Sequence, residues 1–91
     1  MKLNHNALAA TVLATALALP ATSLANPYDG LGCHALWVQR NQIYADAGYC
    51  FKTADARSVW GSNCFPPYGR LTSGAQHQVE LIIAVERQQG C

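Results

Sequence analysis

The hydrophobic pattern divides the chain into one unbroken apolar run and a longer stretch in which apolar residues are spaced. Ala7 to Leu19 is uncharged and dominated by Ala and Leu, and it follows a short segment, Met1 to Asn6, that carries Lys2. Pro20 ends the run, and Ser23-Leu24-Ala25 sets small residues at −3 and −1 of a cleavage point before Asn26. A basic start, an apolar stretch of about 7–15 residues and a small-residue exit together make an export signal. A membrane anchor needs roughly 20 apolar residues, more than this run supplies. Residues 1–25 are therefore expected to be a cleaved signal peptide, and 26–91 a single mature domain in the periplasm or outside the cell, with no membrane anchor after cleavage. Cys33, the first cysteine, lies too far from the apolar run to serve as a lipid attachment point.

Beyond Asn26-Pro27-Tyr28-Asp29-Gly30, a turn-rich lead-in, the spacing changes to that of helices. Cys33, Leu36, Trp37, Arg40, Ile43, Tyr44 and Ala47 recur on one side of a helix over about 33–47. Gly48 suits the residue just past its end, where a left-handed conformation is needed. Tyr49-Cys50-Phe51 is too short and too apolar for a helix and reads as an extended, buried connection. Thr53 is an N-cap candidate with Asp55 in the first turn, and the helix that follows runs to about Trp60 and stops at Gly61. Ser62 to Gly69, with Pro66 and Pro67, is a loop around Cys64. Ser73 followed by Gln76 has the form of a capping box. The stretch Gly74 to Gln89 then carries Val79, Ile82, Ile83 and Glu86 on one stripe, broadened by Leu81 and Val85 and stopped by Gly90. The expected fold class is mainly α: a small disulfide-stapled domain of about three helices. Its aromatic core is expected from Trp37, Tyr44, Tyr49, Phe51, Trp60 and Phe65.

Four cysteines, Cys33, Cys50, Cys64 and Cys91, all fall in the mature segment. An even number behind an export signal points to disulfides, which persist in oxidising compartments. The mature length lies below the ~70–80 residues at which a hydrophobic core alone suffices, so such staples matter. Of the three possible pairings, Cys33–Cys50 with Cys64–Cys91 conflicts with the first helix. About 15 residues at ~1.5 Å each would hold Cys33 and Cys50 roughly 20 Å apart, whereas a disulfide needs Cα atoms within about 7 Å. Two pairings survive. Cys33–Cys91 with Cys50–Cys64 is preferred, because antiparallel packing of the first and last helices would bring their outer ends together.

Charge narrows the function classes. With Lys2 gone, Arg40, Lys52, Arg57, Arg70 and Arg87 balance Asp29, Asp46, Asp55, Glu80 and Glu86. A nucleic-acid binder shows a clustered basic excess, and a polybasic membrane-surface module shows the same feature; neither is present. His34 and His77 have no ligand partners at zinc-binding spacing, and the thiols are expected to be oxidised, so no metal or cofactor is expected. No serine stands in a nucleophile-elbow context, and nothing pairs two of the carboxylates for acid–base work. No catalytic residues are assigned. Arg40 shares a face with Trp37, Ile43 and Tyr44, so its guanidinium needs a carboxylate or several carbonyls. Arg40 and Asn41 are expected to form a polar network that staples the first helix to the following loop.

One segment carries a family resemblance. Arg40-Asn41, two residues, then Tyr44-Ala45-x-x-Gly48-Tyr49-x-Phe51, resembles the signature of the YARHG domain, a bacterial extracellular module named for its Tyr-Ala-Arg-His-Gly motif. The downstream helix ending at Trp60 and the final helix also fit, so the resemblance covers essentially the whole mature chain. Asp46 and Ala47 stand where the motif has its arginine and histidine. With Cys50, Cys64 and Cys91, the chain looks closer to a cysteine-containing, stand-alone exported branch. The resemblance implies location and fold and carries no activity with it.

The expected function is therefore a non-enzymatic envelope or extracellular module that binds a protein or cell-wall component. Tyr28, Pro66, Pro67 and Tyr68 are expected to form an exposed patch, with Pro66, Pro67 and Tyr68 as the candidate binding loop, and Arg40, Asn41, Tyr44, Gly48, Tyr49 and Phe51 are the structural motif. The alternative is an inhibitor of an exported hydrolase, of lysozyme or peptidase type, with 63–70 as its inserting loop. A small hydrolase ranks below both.

Overall fold

The computed structural model describes residues 25–91. Residues 1–24, nearly all of the expected export signal, lie outside the described residues. Three helices are present among the described residues, α1 (Cys33–Asp46), α2 (Ala54–Trp60) and α3 (Ser73–Gln89), and no strand. The helix ends follow local chemistry. Thr53 caps α2 by accepting the Ala56 N–H, with Asp55 in the first turn. Gly90, with φ +73°, closes α3 in the left-handed conformation. One cap differs from the expectation. Thr72, rather than Ser73, caps α3, its hydroxyl accepting the Ala75 N–H at 3.1 Å. Ser73 is already helical, so the box expected from Ser73 and Gln76 is out of register by one residue.

α1 and α3 pack antiparallel. Leu36, Ile82 and Val85 are buried to 2% exposure or less between them, with Tyr28, Leu31 and Ile43 packed around the edge. Removing a side chain of this size from water contributes ~1.5–3 kcal/mol. Across the same interface Arg40 meets Glu86, with Nε 3.0 Å from Oε1 and Nη2 3.1 Å from Oε2. The two side chains are 29% and 14% exposed, a half-buried pair held in fork geometry. This corrects the expected role of Arg40, which staples α1 to α3 and not to the following loop. Asn41 stays within its own helix, its amide donating to the Trp37 carbonyl.

Trp37 follows Leu36 by one residue, about 100° further round the helix. It and Tyr44 therefore turn away from α3 toward the other half of the domain. There the expected aromatic cluster assembles ring against ring, with Trp37–Trp60, Trp60–Phe51, Phe51–Tyr49 and Tyr49–Tyr44 centroids 5.0–5.6 Å apart. Such spacing is that of tilted or offset aromatic pairs. Phe51 is the buried member at 5%. Phe65, expected in this core, is 50% exposed, and Tyr49 is 36% exposed. α2 is fastened to the cluster by polar contacts as well. The Trp60 indole donates to Gln42, and Arg57 Nε donates to the Phe51 carbonyl at 2.8 Å.

Both preferred disulfides are formed. Cys33–Cys91 joins the start of α1 to the residue after α3's cap, with Cα atoms 5.5 Å apart, and Cys50–Cys64 has Cα atoms 4.9 Å apart. No described helix is long and apolar enough to cross a membrane.

Candidate functional site

The candidate site grows from the end of α1. Ala47 and Gly48 have their N–H groups on the Tyr44 and Ala45 carbonyls, and the Tyr49 N–H returns to Tyr44. That leaves the carbonyls of Ala47 and Gly48 pointing outward, and a second segment takes them. The Phe65 N–H bonds Gly48 at 3.1 Å, and the Gly69 N–H bonds Ala47 at 2.8 Å. The segment between forms a turn closed by the Tyr68 N–H on the Phe65 carbonyl at 2.8 Å, with Pro66 and Pro67 at its centre. The Pro66–Pro67 peptide is cis. Cys64, immediately before the turn, is bridged to Cys50, immediately after the motif's Tyr49. One disulfide and two cross-segment hydrogen bonds thus hold a four-residue turn against the end of α1.

Two glycines make this approach possible. Gly48 has φ +78°, and a Cβ there would overlap the Phe65 carbonyl oxygen and stand 2.7 Å from its carbon. Gly69, φ +92°, lies under the Tyr49 ring, where a Cβ would be 2.6 Å from Cδ1. The motif's glycine is therefore both a helix terminator and the seat of the turn.

What the turn presents is apolar and open. Phe65 is 50% and Tyr68 59% exposed, and Pro66 and Pro67 are exposed between them. Tyr68 has φ +57°, a left-handed conformation that costs a residue with a Cβ about 1–2 kcal/mol. Strain of this kind persists where surrounding contacts over-determine it, and it concentrates at ligand clamps and binding sites. The candidate loop residues Pro66, Pro67 and Tyr68 come together on this turn. Phe65 joins them; it was expected in the aromatic core, although it falls within the 63–70 loop of the alternative reading. The signal that could have found it is Phe65-Pro66-Pro67-Tyr68-Gly69 itself, a turn sequence with an aromatic on each shoulder.

Arg40, Asn41, Tyr44 and Tyr49 line a cleft of about 340 Å³. All four belong to the motif recognised in the sequence, so the structure gathers most of it on one surface. Phe51 lies beneath, in the aromatic cluster. Pro67 of the turn forms part of a separate groove of about 460 Å³ with Ile43, Ala47 and Leu71, and with Asp46 and Arg70 also along it. Asp46, at the position of the motif's arginine, accepts the Gln42 amide at 2.8 Å along α1. It brings a carboxylate to the groove where the motif would bring a cation. His34 and His77 are both exposed, His34 lying over Trp37 with ring centroids 5.8 Å apart. Among the described residues no three His, Cys, Asp or Glu side chains gather as metal ligands.

No curated protein and no solved structure matches the chain. The sequence model of the YARHG domain does match, over residues 11–87, a span that begins inside the expected signal segment and takes in α1, α2 and all but the last two residues of α3. That match covers most of the chain: the chain belongs to the YARHG domain family.

Proposed function

We propose that this chain is a non-enzymatic binding module of the cell envelope or the extracellular space. Its partner is a protein or a cell-wall component, engaged through the Phe65–Tyr68 turn. The observation that carries this reading is the fixed presentation of exposed aromatic and proline side chains. A turn tied by a bridge and by backbone hydrogen bonds has little freedom left to lose on binding, so its apolar contacts translate into affinity. Exposed clusters of this kind mark interaction surfaces, and aromatic anchors carry most of the energy in such contacts. Two formed disulfides support an oxidising compartment. The balanced charge speaks against nucleic acid as the partner.

The rigid turn also supports the second reading, insertion into the active site of an exported hydrolase. Inhibition assays with muramidases and peptidases separate the two: a wild-type chain that blocks one of them, and a Tyr68→Ala chain that does not, selects the inhibitor. For the leading reading, oxidised protein is used to capture partners from envelope proteins and from insoluble cell wall. Tyr68→Ala is expected to weaken the captured interaction at least tenfold, equivalent to about 1.4 kcal/mol. Equal capture by both chains, or none by either, removes the turn as the binding surface.

A further inference from the structure

Asn26, the residue after the expected cleavage point, is held by every polar group it has. Its side-chain Oδ1 accepts the Tyr28 N–H at 2.9 Å, and its Nδ2 donates to the Leu81 carbonyl of α3 at 2.8 Å. Its carbonyl accepts the Asp29 N–H at 2.9 Å. Its backbone nitrogen donates to Asp29 Oδ2 at 3.1 Å. Two residues on, the Tyr28 hydroxyl donates to Gln78 Oε1 at 2.7 Å while its ring packs against the Leu36–Ile82–Val85 core. The lead-in is thus pinned to α3 by side chains of its own, and the preceding residue, Ala25, is exposed.

We infer that Asn26 is an N-terminal latch completed by processing: the α-ammonium released at Asn26 forms an ion pair with Asp29. The inference rests on the reading of residues 1–25 as a cleaved signal. Hydrolysis of the Ala25–Asn26 peptide bond adds one water across it. Ala25 leaves as a carboxylate, and the nitrogen stays on Asn26 as an amine that takes up a proton at neutral pH. The same nitrogen, already 3.1 Å from the Asp29 carboxylate as a neutral amide, then carries a full positive charge. Hydrogen bonds between ionised partners are roughly twice as strong as neutral ones. Asp29 needs no movement to receive it, because its own N–H is already on the Asn26 carbonyl. In the uncleaved chain this nitrogen is an amide and the pair does not exist.

The test uses protein recovered after export of the full chain. Its intact mass reads the cleavage position independently of the latch, and a mature start other than Asn26 overturns the inference at its first step. Lys52 is the only lysine outside residues 1–25, so a Lys52→Arg background leaves the α-amine as the sole amine open to acetylation. In that background, acetylation is expected to lower the melting temperature by about 1–4 °C, the effect of one exposed ion pair on a domain of this size. With Asp29→Asn added, acetylation is expected to leave the melting temperature unchanged. The difference between the two shifts is expected to shrink in about 1 M salt, where charges are screened within ~3 Å. No shift on acetylation, an equal shift with and without Asp29, or a difference indifferent to salt each overturns the latch.

Discussion

On α1 and α3, four aliphatic side chains, Leu36, Val79, Ile82 and Val85, are buried to 2% or less, and the only ion pair among the described residues lies half-buried between the same helices. On the other side of α1, Phe51 and Ala56 are the buried apolar residues, and Tyr49 and Phe65 remain at least one-third exposed. The aliphatic half is closed by packing and locked at its outer end by Cys33–Cys91. The aromatic half is closed by ring contacts, two glycine-dependent approaches and Cys50–Cys64. The difference teaches how a small domain divides its work. One half supplies cooperative stability, and the other holds large side chains in fixed positions while leaving them available. Exposed aromatics in the second half are affordable because the first half does not depend on them.

Removing each bridge in turn is the most forceful way to break that comparison. Cys33–Cys91 closes a 58-residue separation and Cys50–Cys64 a 14-residue one. Chain-entropy arguments assign them about 4 and ~3 kcal/mol respectively. Replacing Cys33 and Cys91 with Ser is therefore expected to cost more in a denaturant titration. Replacing Cys50 and Cys64 is expected to cost less stability and more binding, because it frees the turn. If the short bridge proves the larger contributor to stability, the division of labour is wrong.

Gly48→Ala sharpens the contrast by acting on the aromatic half alone. The added Cβ meets backbone, which cannot rotate away as a side chain would, and it also sits at positive φ. A cost of about 1–3 kcal/mol is expected from the strained backbone. Hydrogen exchange should accelerate at the Phe65 and Gly69 amides while the α3 amides from Val79 to Val85 lose protection only by the global change. Uniform acceleration throughout would show that the two halves do not separate.

Arg40→Met examines the aliphatic half and has the smallest expected effect of the three. Full burial would make breaking the pair cost ~3–5 kcal/mol. Here the two side chains retain 29% and 14% exposure, so a loss of about 1–2 kcal/mol is expected, between buried and surface pairs. Adding Glu86→Met to Arg40→Met is expected to recover most of it, since the penalty lies in the stranded carboxylate. A double variant no better than the single one would mean that the guanidinium contributes through packing.

Helix spans were legible because they depend on local chemistry. Thr53, Gly61 and Gly90 mark boundaries through capping and backbone freedom, and neither needs a distant partner. Helix length, a local quantity, excluded Cys33–Cys50, and the expected antiparallel packing of the first and last helices favoured the Cys33–Cys91 pairing that formed. Ser73 misled because Thr72 beside it has the same capping group, and only the entry angle of the chain selects between them. The fate of Phe65 was not legible. Its hydrophobicity says core, but the Gly48 carbonyl holds its backbone, and the anchored turn leaves its ring outside. Arg40's need for a carboxylate or several carbonyls was readable from its apolar neighbours, yet five carboxylate side chains outside residues 1–25 were available, and helix docking chose Glu86.

The sequence by itself determined three helices, from periodicity and caps, and the family motif, from residue identity; it narrowed the disulfides by helix length to two pairings with one preferred. The tertiary structure decided that the motif's glycine is a seat for a second segment, that its polar residues line one cleft, and that the Pro-Pro-Tyr turn stands fixed beside them. Those outcomes depend on which surfaces meet. Carbonyls freed at the end of α1 had to find donors, and the segment tethered by Cys64 was the one close enough to supply them.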